Sequence, residues 1–440
     1  MSERHNHVDK GEKRMVQGNI LKQLNAEDKD TRLAALLSVM AGIRVGEIDP
    51  PEKTRFVNNH IHTIYSFSPY SPTAAAYMAY QAGLETSGIM DHDTTSGADE
   101  YLRAGEIIGM PVTNGFELRV SMKKSPFAEL RINNPDQTGV AYTAFHGIPR
   151  NRIDEAGRFI APYRANRNVR NRRMVANIND LLGSYGIHVD FDTDVLPISQ
   201  SANGGSVTER HLLYATALKM IQAFGRGDKL LHFLTGEMGI KISPKLYGYL
   251  ADVNNENYAY DLLGVLKSDL VGKIYVPATD ECPSVEDYIA ACHRVGAIAA
   301  YPYLGDVGNS VTGDKKAQTF EDAYLEDLFA YLRDVGYDAI TYMPSRNTPE
   351  QLARVMALCD RFGFFQISGE DINSPRQSFI CKALADPAYA HLYDCTYALI
   401  GHELSATRDP DRGMFGEWAK KNYPNMADRV AYFAEVGRKN

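Results

Sequence analysis

Paired cysteines, long apolar runs and an excess of positive charge are all missing from this chain of 440 residues. Its five cysteines (Cys282, Cys292, Cys359, Cys381 and Cys395) fall at no paired spacing. That excludes a disulfide framework and a zinc ribbon, and makes a reducing cytoplasm the expected setting. No tract approaches the roughly 20 consecutive apolar residues that span a bilayer, so no membrane association is expected. The opening MSERHNHVDKGEKR is polar and mixed in charge, without the apolar stretch of a secretory signal. A formal net charge of -8 argues against a nucleic-acid coat protein and against duplex binding. An anionic small substrate stays open, because a bound cation can reverse the sign locally.

What is present is a rhythm of short strands and helices. Leu21, Leu24, Leu33, Leu36 and Leu37 recur at helical spacing, so the first fifty residues read as helical, interrupted at 25–31 and packed outside the main fold. From Arg55 strands are expected at 55–63, 87–90, 111–120 and 141–148. Helices are expected from Ser71-Pro72 to Gly83 and over 98–108. Residues 149–276 break the rhythm and read as a mostly helical insertion, clearest over 208–224. Strands then return at 297–301, 338–342 and 364–367, between helices capped by Ser284 and by the capping box Thr348-Pro349-Glu350-Gln351. The alternation implies a largely parallel sheet.

Chemistry gathers at the strand ends. His60-Ile61-His62 sits on a strand, where residues two apart share a face, so two imidazoles can grip one divalent cation. Asp91-His92-Asp93, Glu117, His146 and Asp371 also fall at or near expected C-terminal strand ends, the rim where parallel α/β barrels assemble their sites. Mixed nitrogen and carboxylate ligands suit Zn, Mn or Fe better than Ca or Mg. A dense basic run (Arg150, Arg152, Arg158, Arg164, Arg167, Arg170, Arg172 and Arg173) follows His146. Most of it reads as a solvated helix face, with one or two members available to clamp a phosphate. His5, His7, His188, His232, His293, His391 and His402 lack supporting context and read as structural.

Phe56-Val57-Asn58-Asn59-His60-Ile61-His62-Thr63, then Ser66, then Ile89-Met90-Asp91-His92-Asp93-Thr94 resemble the opening motifs of the PHP (polymerase and histidinol phosphatase) superfamily. Asn114-Gly115-Phe116-Glu117, Phe145-His146-Gly147, Ala300-Tyr301-Pro302 and Gly369-Glu370-Asp371-Ile372-Asn373 follow in that family's order. The resemblance covers about 55–149 and 283–375. The insertion between resembles that of the amidohydrolase-like phosphoesterase branch, with Thr208-Glu209-Arg210-His211 as the matching stretch. The resemblance implies a distorted seven-stranded α/β barrel, its two parts at 51–148 and 277–375, flanked by helical segments at 1–50 and 376–440. It also implies up to three clustered metals: His60, His62, Glu117 and Asp371 at one, Glu117 bridging to a second with His146, and His92 at a third.

Three departures reshape that expectation. Phe67 stands where the family has an acidic residue or histidine, Tyr301 where it has the histidine of His-Pro, and Asn373 where it has the histidine of Asp-x-His. The third site then keeps only His92 and the second is weakened, leaving one or two divalent ions. A metal can lower the pKa of bound water from about 15.7 toward 7. With fewer metals a side chain must help, and His92 or His146 is expected as general acid or base, with Asp93 orienting His92 or a water. His211 and Arg376 are the candidates for substrate contact. The expected function is metal-dependent hydrolysis of a small anionic phosphate ester, a nucleotide or phosphorylated metabolite. The alternatives are hydrolysis of a C–N or carboxylic ester bond, since a barrel does not dictate its electrophile, and a degenerate relative kept as a binding module.

Overall fold

The computed structural model describes residues 18–308 and 318–439. Residues 1–17, with His5 and His7, lie outside them. Seven strands, β1 (Val57–Ile61), β2 (Thr86–His92), β3 (Val112–Ser121), β4 (Val140–His146), β5 (Ile298–Pro302), β6 (Ala339–Tyr342) and β7 (Phe365–Ser368), form one sheet in sequence order. The sheet curls until its edges meet. His62 N donates to Ile372 O at 2.9 Å and Ile372 N donates to His60 O at 3.1 Å. Asparagines of β1 complete the seam: Asn58 Oδ1 accepts from Glu370 N, and Asn59 Nδ2 donates to Ser368 O, each at 2.9 Å. Gly369 is required at this seam, because a Cβ there would lie 2.8 Å from the His60 backbone nitrogen. The expected distorted seven-stranded barrel is thus the observed fold.

The sheet is largely parallel, as the alternation implies, and one reversed strand makes it mixed. β4 runs antiparallel to both β3 and β5, while the other pairs are parallel. A parallel return needs a long crossover, usually a helix. No helix lies between β3 and β4, so the chain turns straight back. Register then matters to the site. Gly115 pairs with His146 and Glu117 with Ala144, and residues two apart share a face. His146 therefore lies on the same inner face as Glu117, one step deeper toward the opposite end of the barrel.

Helices wrap the outside: α1 (Lys29–Arg44), α2 (Pro72–Gln81), α3 (Ala98–Ile108), α4 (Ile153–Leu182), α5 (Glu209–Phe224), α6 (Pro244–Ala251), α7 (Tyr258–Ile274), α8 (Val285–Val295), α9 (Leu325–Val335), α10 (Pro349–Phe362), α11 (His391–Arg408) and α12 (Met426–Arg438). The expected caps form: Ser71 accepts from Ala74 N, Ser284 from Asp287 N, and Thr348 and Gln351 make a capping box. α1 packs on α2 and α3, tied by a buried Arg32–Glu100 pair at 2.6 Å. It therefore belongs to the barrel's outer helical layer.

Helices α4 to α7 build the insertion around their own core, including Met174, Ile178, Leu212, Met220, Leu262 and Leu266. Phe67 enters this core from the barrel side. At the other end α11 closes the barrel floor. Asn59 Nδ2 donates to Thr396 Oγ1, and Glu403 accepts from Thr113 Oγ1 and Asn114 N. α12 seals against α11 at Gly401, where a Cβ would sit 1.9 Å from Phe433 O.

Candidate metal centre

β1 delivers His60 and, one residue past its end, His62. β2 delivers His92, and the parallel register sets His92 level with Glu117 of β3. All three imidazoles converge on one oxygen. Glu117 Oε1 lies 3.6 Å from His60 Nε2, 3.4 Å from His62 Nε2 and 3.1 Å from His92 Nδ1. His62 and His92 stack with ring centroids 4.8 Å apart. Each of those three nitrogens is buried without a hydrogen-bond partner, although burying an unpaired polar atom costs free energy. Imidazole nitrogens left without partners around a carboxylate oxygen are the donor types a transition-metal ion takes. Ligand atoms of His60, His62 and Glu117 lie within 4.8 Å of one another, and among the described residues no other such group occurs. The donor set therefore fits a divalent ion.

Asp371 stands at the edge of this group. Its Oδ1 is 3.1 Å from His62 Nε2 and accepts from Asn373 Nδ2 at 2.6 Å. Asn373 thus serves as a clamp on Asp371. His146 Nε2 is buried and unpaired, beneath the cluster. His146 neither joins the mutual group nor lines the cavity above it.

Electrostatics follow from crowding and burial. Burial alone would raise the Glu117 carboxyl, yet the imidazoles of His92, His60 and His62 outweigh it and hold it at about 2. Burial also works against protonated His60, but Glu117 and Asp371 overcome it and push its pKa up. Burial dominates at His92, pushed down to about 4 against the pull of Glu117, and at His146, pushed down to about 3.

Several expected site residues are engaged elsewhere. Asp93, at φ 53°, turns its carboxylate to Arg167, and its backbone oxygen accepts from Arg164. It is a link to the insertion and does not orient His92. His211 Nδ1 accepts from Thr208 N at 3.0 Å, capping its own helix, and its ring meets the edge of Phe67. Arg376 chelates Asp261 at 2.7 and 2.8 Å and stacks on Tyr249, clasping the barrel to the insertion. Tyr301 points outward into the layer under the helices, its hydroxyl donating to Glu321 at 3.2 Å. The arginine run is largely consumed by ion pairs. Arg150 takes Glu403, Arg172 takes Asp192, and Arg119, Arg167 and Arg170 share Asp93, Glu209 and Glu281.

The cavity over the cluster, about 380 Å³, is lined by His60, His92, Glu117 and Asp371, by the cations Arg210, Lys267 and Arg346, and by Asp136, Arg167 and Glu209. Arg346 donates to Leu304 O at 3.2 Å. Arg210 and Lys267 make no ion pair among the described residues. Arg210 above all, and then burial, pushes Lys267 down to about 8, as two cations facing one cavity should. A larger hollow of about 720 Å³, at Cys359, His391 and Met426, lies among the outer helices far from this cluster in the fold.

The sequence matches no established family profile and no curated protein. Among solved structures, a protein from Bifidobacterium adolescentis, provisionally described as a metal-dependent phosphoesterase, aligns with a TM-score of 0.50 at 21% identity. The alignment covers 79% of this chain and 97% of the other. An amidohydrolase from Chromobacterium violaceum, solved with sulfate and without metal, aligns at 18% identity and a TM-score of 0.47, over 74% of this chain and 89% of its own. The likeness to the first is one of fold.

Proposed function

We propose that this chain is a metal-dependent phosphoesterase acting on a small phosphate ester. The observation that carries the reading is a single cavity with two chemically opposed walls. One wall is the His60, His62 and Glu117 group with its unpaired nitrogens. The other carries Arg210, Lys267 and Arg346, none of which makes a close ion pair among the described residues, although Asp136 and Glu209 line the same cavity and act on Lys267. The ordered motifs shared with the PHP superfamily, and the fold shared with the B. adolescentis protein, support the same reading.

His60, His62 and Glu117 would hold the ion, with Asp371 at its margin. A divalent ion there would supply Lewis-acid chemistry toward water and a phosphoryl oxygen. The chain does the rest. Arg210 and Arg346 offer planar donor forks suited to phosphate oxygens and Lys267 a point charge, so the ester is drawn in and held across the cluster. His92 lines the cavity and is the imidazole placed to accept a proton there. Its Nδ1 is 3.1 Å from Glu117, which keeps it beside the reacting centre. His146, below the cavity, has no part in touching substrate.

The test is product release from p-nitrophenyl phosphate, p-nitrophenyl acetate and a p-nitroanilide, each with added manganese or zinc. Phosphate release with little turnover of the other two is expected. Cleavage of the acetate or anilide without phosphatase activity would replace this reading with carboxylic ester or amide hydrolysis.

A further inference from the structure

The proton positions around His62 are determined by its neighbours. Asp91 is buried and accepts three hydrogen bonds: from Thr63 N at 2.7 Å, from Thr63 Oγ1 at 2.6 Å and from Ser66 Oγ at 2.6 Å. A serine hydroxyl carries one hydrogen, and here it is committed to Asp91 Oδ1. Toward its other neighbour, His62 Nδ1 at 3.2 Å, Ser66 Oγ can therefore only accept. The proton must sit on His62 Nδ1, which leaves the lone pair on Nε2. That nitrogen is buried, has no hydrogen-bond partner and faces Glu117 and Asp371.

We propose that Ser66 and Asp91 are positioning residues: a two-step relay that locks the His62 ring and its tautomer, so that Nε2 is presented to a divalent cation. The inference rests on the metal-site reading above. A ligating imidazole commonly donates its other N–H to an oxygen acceptor, and losing that acceptor weakens metal binding about 10- to 100-fold. Here the acceptor is a hydroxyl whose own hydrogen is held by a carboxylate, so the carboxylate acts on the imidazole without touching it. Sequence position hides this arrangement, because Asp91 is the neighbour of His92 and serves His62 instead. Thr63, tied to the same carboxylate through both its backbone and its hydroxyl, fixes the turn that carries Ser66.

The test compares Ser66→Ala with Ser68→Ala, a buried serine whose hydroxyl has no hydrogen-bond partner. Zinc affinity is measured by competition with a chelator, and thermal melting of the metal-free proteins checks folding. Ser66→Ala is expected to bind zinc about 10- to 100-fold more weakly while still melting cooperatively, and Ser68→Ala to bind like the parent. In the full chain labelled with 15N-histidine, the His62 signal, assigned by its loss in His62→Asn, is expected to show Nδ1 protonated and Nε2 bare. In Ser66→Ala the signal is expected to show a mixture. Unchanged zinc affinity in Ser66→Ala, or an Nε2-protonated His62 in the parent, overturns the relay. If the parent itself binds no zinc, the metal-site reading fails and the tautomer measurement alone decides the relay.

Discussion

Glu117 is the residue on which the site turns, since three imidazole nitrogens crowd a single oxygen of its carboxylate. Replacing it with glutamine keeps the shape and removes the charge, so Glu117→Gln is expected to lose bound metal and phosphatase turnover together. Elemental analysis paired with a phosphate assay checks both. Arg210 should behave differently. It makes no ion pair among the described residues, so Arg210→Ala is expected to raise KM for a phosphate ester about tenfold or more, with a smaller change in kcat. That is the pattern for an interaction made equally in ground and transition states. The residues that gather in the candidate metal cluster are legible in the sequence because their signal is local: an HxH pair on a strand and acids after apolar strand runs. The cations that line the cavity are not legible there. Whether an arginine is free or spent depends on partners far away in the chain, as with Arg376 on Asp261 and Arg150 on Glu403. His211 was singled out one residue away from Arg210, because spacing along a helix does not reveal which neighbour caps the helix and which faces a cavity.

The insertion is pinned to the barrel by charge as well as by Phe67. Arg119 of β3 and Arg167 and Arg170 of α4 share Asp93, Glu209 and Glu281, with most of these side chains buried. Removing one partner from such a network leaves an uncompensated charge, a loss of about 3–5 kcal/mol. Glu281→Ala is therefore expected to lower the urea midpoint substantially, although Glu281 does not line the cavity. A midpoint within error of the parent would contradict the network's role. Because Glu209 and Arg210 are consecutive at the start of α5, this network also fixes the cationic wall over the metal cluster. Strand and helix positions were readable from periodicity and caps, and helix 98–108 was read to the residue. The direction of β4 was not, because alternating strands and helices set a parallel expectation that the helix-free connection at 122–139 breaks.

Across the whole molecule, buried neutral histidines weaken the folded chain in acid. Burial pushes His211 and His146 down to about 3 and His402 down to about 4. The unfolded chain, titrating near the ordinary 6.5, therefore binds protons that the folded chain refuses. Stability is fully present above about 6.5 and is lost as pH falls toward 4, at about 1.4 kcal/mol for each unit of depression. Buried Glu321, pushed up to about 7, works in the opposite sense, so the expected signature is a difference: between pH 7 and pH 4.5 the melting temperature falls less in His402→Gln than in the parent. The barrel's two ends divide the work. The floor is closed by α11, with Glu403 and Thr396 holding β3 and β1, and the open end carries the candidate His60, His62 and Glu117 cluster beneath the insertion. The central claim is that a divalent ion sits among His60, His62 and Glu117 in that open end. Elemental analysis of the purified protein after metal loading and desalting tests it most directly. At least one Zn, Mn or Fe per chain is predicted, lost in Glu117→Gln. A loaded parent protein with no bound metal, or a Glu117→Gln variant that retains its full complement, would contradict it.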